Sequence, residues 1–207
     1  LGVKSAKELS GATVCVQPGT TTELNLADFA RANKLQIKPV VIENLSEVEA
    51  AFFAGRCDAY TTDASGLAST RAARSSNPDD YLILPEIISK EPLSPAVRQG
   101  DDEWFNIVKW TVYALIQAEE SGVTQANVDE LKGSTQDPQI KRLLGAIPDM
   151  AKGIELDDGW AYRAIKSVGN YGEIFERNVG ANSPLKLSRG LNQLWTKGGL
   201  MYAMPVR

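Results

Sequence analysis

Histidine is absent from the 207 residues. Its absence removes the commonest general base, the usual partner of an activated nucleophile and the commonest metal ligand. Cysteine occurs only twice, too few for a structural zinc site without other ligands. No uninterrupted apolar run reaches the roughly 18 residues that would suggest a membrane span. The most apolar helical stretch, 104–118, is broken by Asn106, Lys109 and Gln117. Clustered positive charge is also lacking: 22 Lys and Arg stand against 26 Asp and Glu, for a net charge of −4. A phosphate-tracking surface needs such clusters, so nucleic acid is not an expected partner. The opening LGVKSAKELSG has no charged start, apolar stretch or small-residue cleavage site, and any export signal is expected to have been removed. A binding module without metal or cofactor is favoured over an enzyme.

What remains is globular in texture, with 43% hydrophobic and 23% charged residues, enough to bury a core. The run ATVCVQ (12–17) ends at Pro18 and Gly19 and leads into a helix-like stretch, 21–32. A second unit reads QIKPVVI (36–42), then a helix over 45–54 capped by Asn44 or Ser46 and stopped by Gly55. A third reads CDAYTT (57–62), then a weaker helix over 65–74, and YLILPEII (81–88) supplies a fourth predicted strand. Alternation of this kind predicts an α/β, doubly wound parallel sheet. Beyond Pro92 and Pro95 the texture turns helical. Helices are predicted over 103–120, capped by Asp101 or Asp102, and over 127–132, 138–144, 160–179 and 188–195. EPLSP (91–95) is the predicted boundary and reads as a hinge strand.

In an open parallel sheet, ligands bind beyond the carboxyl ends of the strands. Two loops fall there. PGTTTE (18–23) predicts a capping box between Thr20 and Glu23, with other first-turn N–H groups left facing outward. With the hydroxyls of Thr21 and Thr22 and the helix dipole, these donors suit a carboxylate or phosphate. The plainer reading is that the three threonines only start a helix. TTDAS (61–65) places Asp63 just past the third strand, where it offers a carboxylate to a cation or merely caps the next helix. If the first and third strands are neighbours, the two loops face each other and suit the two charged ends of an α-amino acid. Glu43 and Asn44, after the second strand, are candidates for the rim.

These residues, with FAGRCDAYTTDASGL, LPEIISKEPLSPAVRQGDDEWFNIVKW, VGNYGEIFERNVG and LWTKGGLMYAMPVR, resemble extracellular solute-binding protein family 3 along the whole chain. That family comprises the polar amino-acid-binding components of ABC importers, and the later segments resemble its general L-amino-acid-binding subgroup. The resemblance implies a periplasmic location, a type II periplasmic binding protein fold, an L-amino acid as ligand and a membrane permease as partner. It puts Thr21 on the ligand α-carboxylate, with Thr20 and Thr22 in support, and Asp63 on the α-ammonium. It further implies that residues 1–91 form a complete second lobe and residues 92–207 a hinge plus the C-terminal half of the first lobe. Two other readings use the same fold. One is a dehydratase for prephenate-like acids, in which Asp63 or Glu43 would serve as acid or base; the other is a sensory ligand-binding domain.

Family members carry roughly a hundred residues ahead of LSGATV, with an arginine clamp for the ligand carboxylate, and neither Arg98 nor Arg71 matches that motif. The chain is therefore expected to be truncated, and a lobe that no longer binds amino acids usefully is an alternative. Its apolar helical stripe of Trp104, Ile107, Val108, Leu115 and Ile116 is expected to lie bare and to be covered by a homodimer or a rearrangement. Cys15, inside the first strand, and Cys57, opening the third, are expected to form a disulfide as in exported proteins, the alternative being two reduced, buried thiols.

Overall fold

Val14, Cys15 and Val16 are three successive β-favouring side chains, and all are at most 1% exposed. Burial on both faces marks a central strand of a parallel sheet. In the computed structural model, which describes residues 2–206, they lie in β1 (Thr13–Val16). This strand is flanked by β2 (Lys38–Val41) and β3 (Ala59–Tyr60) in the order β2-β1-β3, with both pairings parallel. Because successive side chains alternate faces, Val14 and Val16 pack on Leu26 of α1 (Thr21–Ala32). Cys15 turns instead to Val48 and Ala51 of α2 (Leu45–Phe53). α3 (Ala64–Arg74) follows β3. Asn44, not Ser46, caps α2, its side chain accepting from Ser46 N–H, and Gly55 ends it with φ +73°.

The predicted fourth strand is not formed. Pro85 has no N–H to give a ladder, and the segment is fastened by a side chain instead. Glu86 accepts from the Ser5 hydroxyl and from Ala6 N–H, while Leu84 packs beside Ala6, Leu9 and Ala12. Residues 91–95 likewise form no strand. The chain divides into two units, Leu1–Leu93 and Ser94–Arg207.

The second unit is helical. α4 (Asp102–Glu120) is capped by Asp101, whose carboxylate accepts from Trp104 N–H. α5 (Val128–Ser134), α6 (Pro138–Leu143), α7 (Trp160–Val168) and α8 (Tyr171–Asn178) follow. The single helix predicted over 160–179 is two, because Gly169 (φ +81°) ends α7 and Asn170 opens α8 in a capping box with Glu173. Residues 188–195 form no α-helix. Short 3-10 turns at Gly190–Asn192 and Trp195–Lys197 take their place, with a bridge between Leu194 and Met201.

The apolar stripe of α4 is not bare. Ile107 and Leu115 pack on a core that includes Ala118, Leu143, Leu144 and Ile165, and Ile116 is buried against Leu194 and Ala203. The exposed aromatics of the helix are Trp104 and Phe105. Packing within the unit covers Ile107, Leu115 and Ile116 of the stripe for which a second copy was expected, while Trp104 stays exposed.

Candidate functional site

β1 ends pointing its carboxyl end at the loop 17–20, where Gly19 adopts φ +66°, a conformation that favours glycine. Thr20 is the N-cap of α1. Its Oγ1 accepts from Glu23 N–H at 3.3 Å and donates to the Gln17 carbonyl at 2.8 Å. The reciprocal half of the expected capping box is shifted by one residue: the Glu23 carboxylate takes the Gly19 N–H, at 2.8 Å, rather than that of Thr20. The left-handed turn at Gly19 brings that earlier N–H to the carboxylate. As a result the N–H groups of Thr20, Thr21 and Thr22 find no acceptor among the described residues. The Thr20 hydroxyl is occupied on both its donor and acceptor sides, while those of Thr21 and Thr22 are not.

β3 delivers the opposing wall. Thr61 N–H continues the ladder to the Cys15 carbonyl, which sets Thr61, Thr62 and Asp63 beside the β1 loop. Asp63 occupies the N-cap position of α3 without making a side-chain cap bond. Its carboxylate is thus left unspent by the helix it precedes. Burial pushes the Tyr60 hydroxyl above its ordinary value, and the Glu49 and Asp63 carboxylates push the same way, so it stays a protonated phenol at neutral pH. α3 is held in place by Glu49, a buried residue of α2. Glu49 accepts from Thr70 Oγ1 at 2.8 Å and pairs with Arg74 Nε at 3.1 Å.

Together the two loops line a recess of about 240 Å³, which Glu91 also borders. Glu91 Oε1 accepts from Asn25 Nδ2 of α1 at 3.0 Å. Gln17 is anchored to the end of β2 by its Nε2, which donates to the Glu43 carbonyl. All four threonine and aspartate residues singled out in the sequence line this recess. Glu43 and Asn44 do not, since Asn44 is consumed in capping α2. Arg71 is likewise occupied, donating to the Tyr81 carbonyl. Sequence reasoning missed Gln17, Tyr60 and Glu91. The first two follow once the strand order is known, but nothing local in EPLSP marks Glu91.

The two halves of the recess are complementary in chemistry: N–H groups at the positive end of α1, which suit an anion, line one side, and the Asp63 carboxylate, which suits a cation, lines the other. Cys15 and Cys57 are joined by a disulfide with Cα atoms 5.6 Å apart, which ties the strand behind one wall to the segment entering the other.

No family model matches the chain. It is 66% identical to the general L-amino acid-binding periplasmic protein AapJ of Rhizobium johnstonii, with all of this chain and 61% of that protein aligned. It is 60% identical to the glutamate/glutamine/aspartate/asparagine-binding protein BztA of Rhodobacter capsulatus, again over all of this chain and 61% of the relative. A solved ABC transporter periplasmic binding protein from Brucella ovis, with glutathione bound, superposes with a TM-score of 0.92 at 59% identity, over all of this chain and 64% of that one. The chain thus spans about three fifths of the length of the curated relatives it matches. No comparison supports a homodimer. Over its whole length, the chain is homologous to the periplasmic amino-acid-binding proteins of ABC transporters and has the α/β fold of the corresponding part of a periplasmic binding protein.

Proposed function

We propose that the chain is the ligand-gripping part of a periplasmic protein that binds L-amino acids and passes them to the membrane permease of an ABC importer. In this reading the unit Leu1–Leu93 is a complete lobe, and residues from the hinge onward belong to the other. The observation that carries the reading is the pairing, across one recess, of unspent N–H groups at Thr21 and Thr22 with the unspent carboxylate of Asp63. An α-amino acid presents a carboxylate and an ammonium on one carbon and satisfies both sides at once. The Thr21 and Thr22 N–H groups and hydroxyls take the α-carboxylate, Thr20 holds the helix start in shape, and Asp63 takes the α-ammonium.

The role is binding rather than catalysis. The names of the relatives support it, and the recess holds no histidine. Glutathione in the Brucella ovis protein extends the ligand class, because its γ-glutamyl end carries a free α-carboxylate and α-ammonium on one carbon. The test is ligand identification by mass spectrometry of the purified protein, followed by titration with L-amino acids and glutathione while the backbone N–H signals of Thr21, Thr22 and Asp63 are followed by NMR. Shifts at these positions are expected, and their absence with every ligand would refute the proposal.

A further inference from the structure

The three walls of the recess are unequal in charge. Among the described residues its lining includes two carboxylates, Asp63 and Glu91, and neither lysine nor arginine. Asp63 is accounted for by an α-ammonium in the reading above, on which this inference rests. Glu91 is not accounted for. Its Oε1 is taken by Asn25 Nδ2 at 3.0 Å, and Oε2 has no partner among the described residues. Asn25 lies four positions after Thr21 in α1, on the same helix face, so the element that offers the anion donors also fixes the Glu91 carboxylate at the border of the recess.

We infer that Glu91 is a specificity-determining residue that meets the side chain of the bound amino acid, accepting from an amide or ammonium donor and disfavouring a side-chain carboxylate. With both α-groups engaged by Thr21, Thr22 and Asp63, the side chain is the part of the ligand left to reach the third wall. There a donor satisfies the open Oε2. A second carboxylate at that position meets like charge, with no lysine or arginine among the described lining residues to offset it. Asn25 acts as a positioning residue, since it holds Glu91 without itself lining the recess.

The experiment compares the parent chain with Glu91→Gln and Asp63→Asn, titrating each with L-glutamine and L-glutamate by NMR. Glu91→Gln is close in shape and keeps an oxygen for Asn25, so the fold is retained. It is expected to shift the ratio of the two dissociation constants toward glutamate by about tenfold. Asp63→Asn is expected to weaken both amino acids alike and leave the ratio where it was. An unchanged ratio in Glu91→Gln overturns the assignment. So does a uniform loss for both ligands, which would place Glu91 at the shared ammonium. Unaltered affinities in Asp63→Asn would instead refute the reading of the site, separately from Glu91.

Discussion

Cys15 sits in the central strand and Cys57 enters its neighbour, and their disulfide links the β-strand behind the loop at the start of α1 to the segment carrying Asp63, across a sequence separation of 42. The bridge closes a loop that contains α1, β2 and α2, so it restricts the unfolded chain while spanning both walls of the recess.

Reduction is therefore expected to destabilise the first unit by about 3–4 kcal/mol on the loop-entropy account. Thermal melts followed by circular dichroism, with and without reductant, measure this. Thiol titration under denaturing, non-reducing conditions should find no free group, and two titratable thiols would contradict the bridge.

Asp63→Asn should weaken amino-acid binding by about 1.5–3 kcal/mol, the range for a hydrogen bond to a charged group. The melting temperature of the unliganded protein should hardly move, because the Asp63 side chain makes no cap bond to α3. A large drop in stability would mean that the carboxylate serves the fold.

Arg189 and Glu119 form an ion pair in the second unit, with side chains only 6% and 9% exposed. The guanidinium also donates to the Asn192 carbonyl. Arg189→Met leaves Glu119 buried without its partner and is expected to cost about 3–5 kcal/mol. Glu119→Gln combined with Arg189→Met should cost less than the single change. All four tryptophans lie in this unit, at 104, 110, 160 and 195, so urea titration by tryptophan fluorescence is the direct measurement.

Asp58 is held below its ordinary value, first by the Thr13 hydroxyl and then by the Thr13 N–H. A carboxylate whose pKa is lower in the folded state contributes stability above its unfolded value and loses it as the pH falls through the folded one. Asp58→Asn should thus be less stable than the parent at pH 7. The difference should start to shrink as the pH drops below about 3.9, the ordinary aspartate value, and vanish only once the pH is below the lower folded-state value. Melting temperatures across that range test it, and a gap that persists in acid would assign the effect to shape rather than charge.

Much of the first unit was legible in the sequence because its signals are local. Val14–Val16 reads as a buried strand, Gly19 and Thr20 as a turn and cap, and the alternation that follows as parallel crossovers. The order β2-β1-β3 puts the loops after Val16 and Tyr60 side by side, the condition on which they were expected to face each other, while the roles of Thr21 and Asp63 were carried over from the family resemblance. The predicted strand over 81–88 failed because apolar β-branched composition does not reveal whether a ladder partner exists. Glu86 instead spends its carboxylate on Ser5 and Ala6, near the opposite end of the unit's sequence.

The sequence by itself determined elements whose stabilising groups lie within a few residues, such as the cap of Thr20 on Glu23 N–H and the Gly55 end of α2; the Gly169 break between α7 and α8, read from the sequence as the middle of one helix, was not among them. Tertiary structure alone decided which groups were spent and which were left over. The Glu23 carboxylate turns to Gly19 rather than Thr20, Asp63 leaves its helix uncapped, and Glu91 is brought to the recess by Asn25, 66 positions earlier in the chain. Ile116 of α4 is settled in the same way, by Leu194 and Ala203 from the far end of the chain. Local patterns report backbone geometry over one or two turns. A free donor or a shared wall depends on which distant side chain arrives first, and that is a property of the packed molecule.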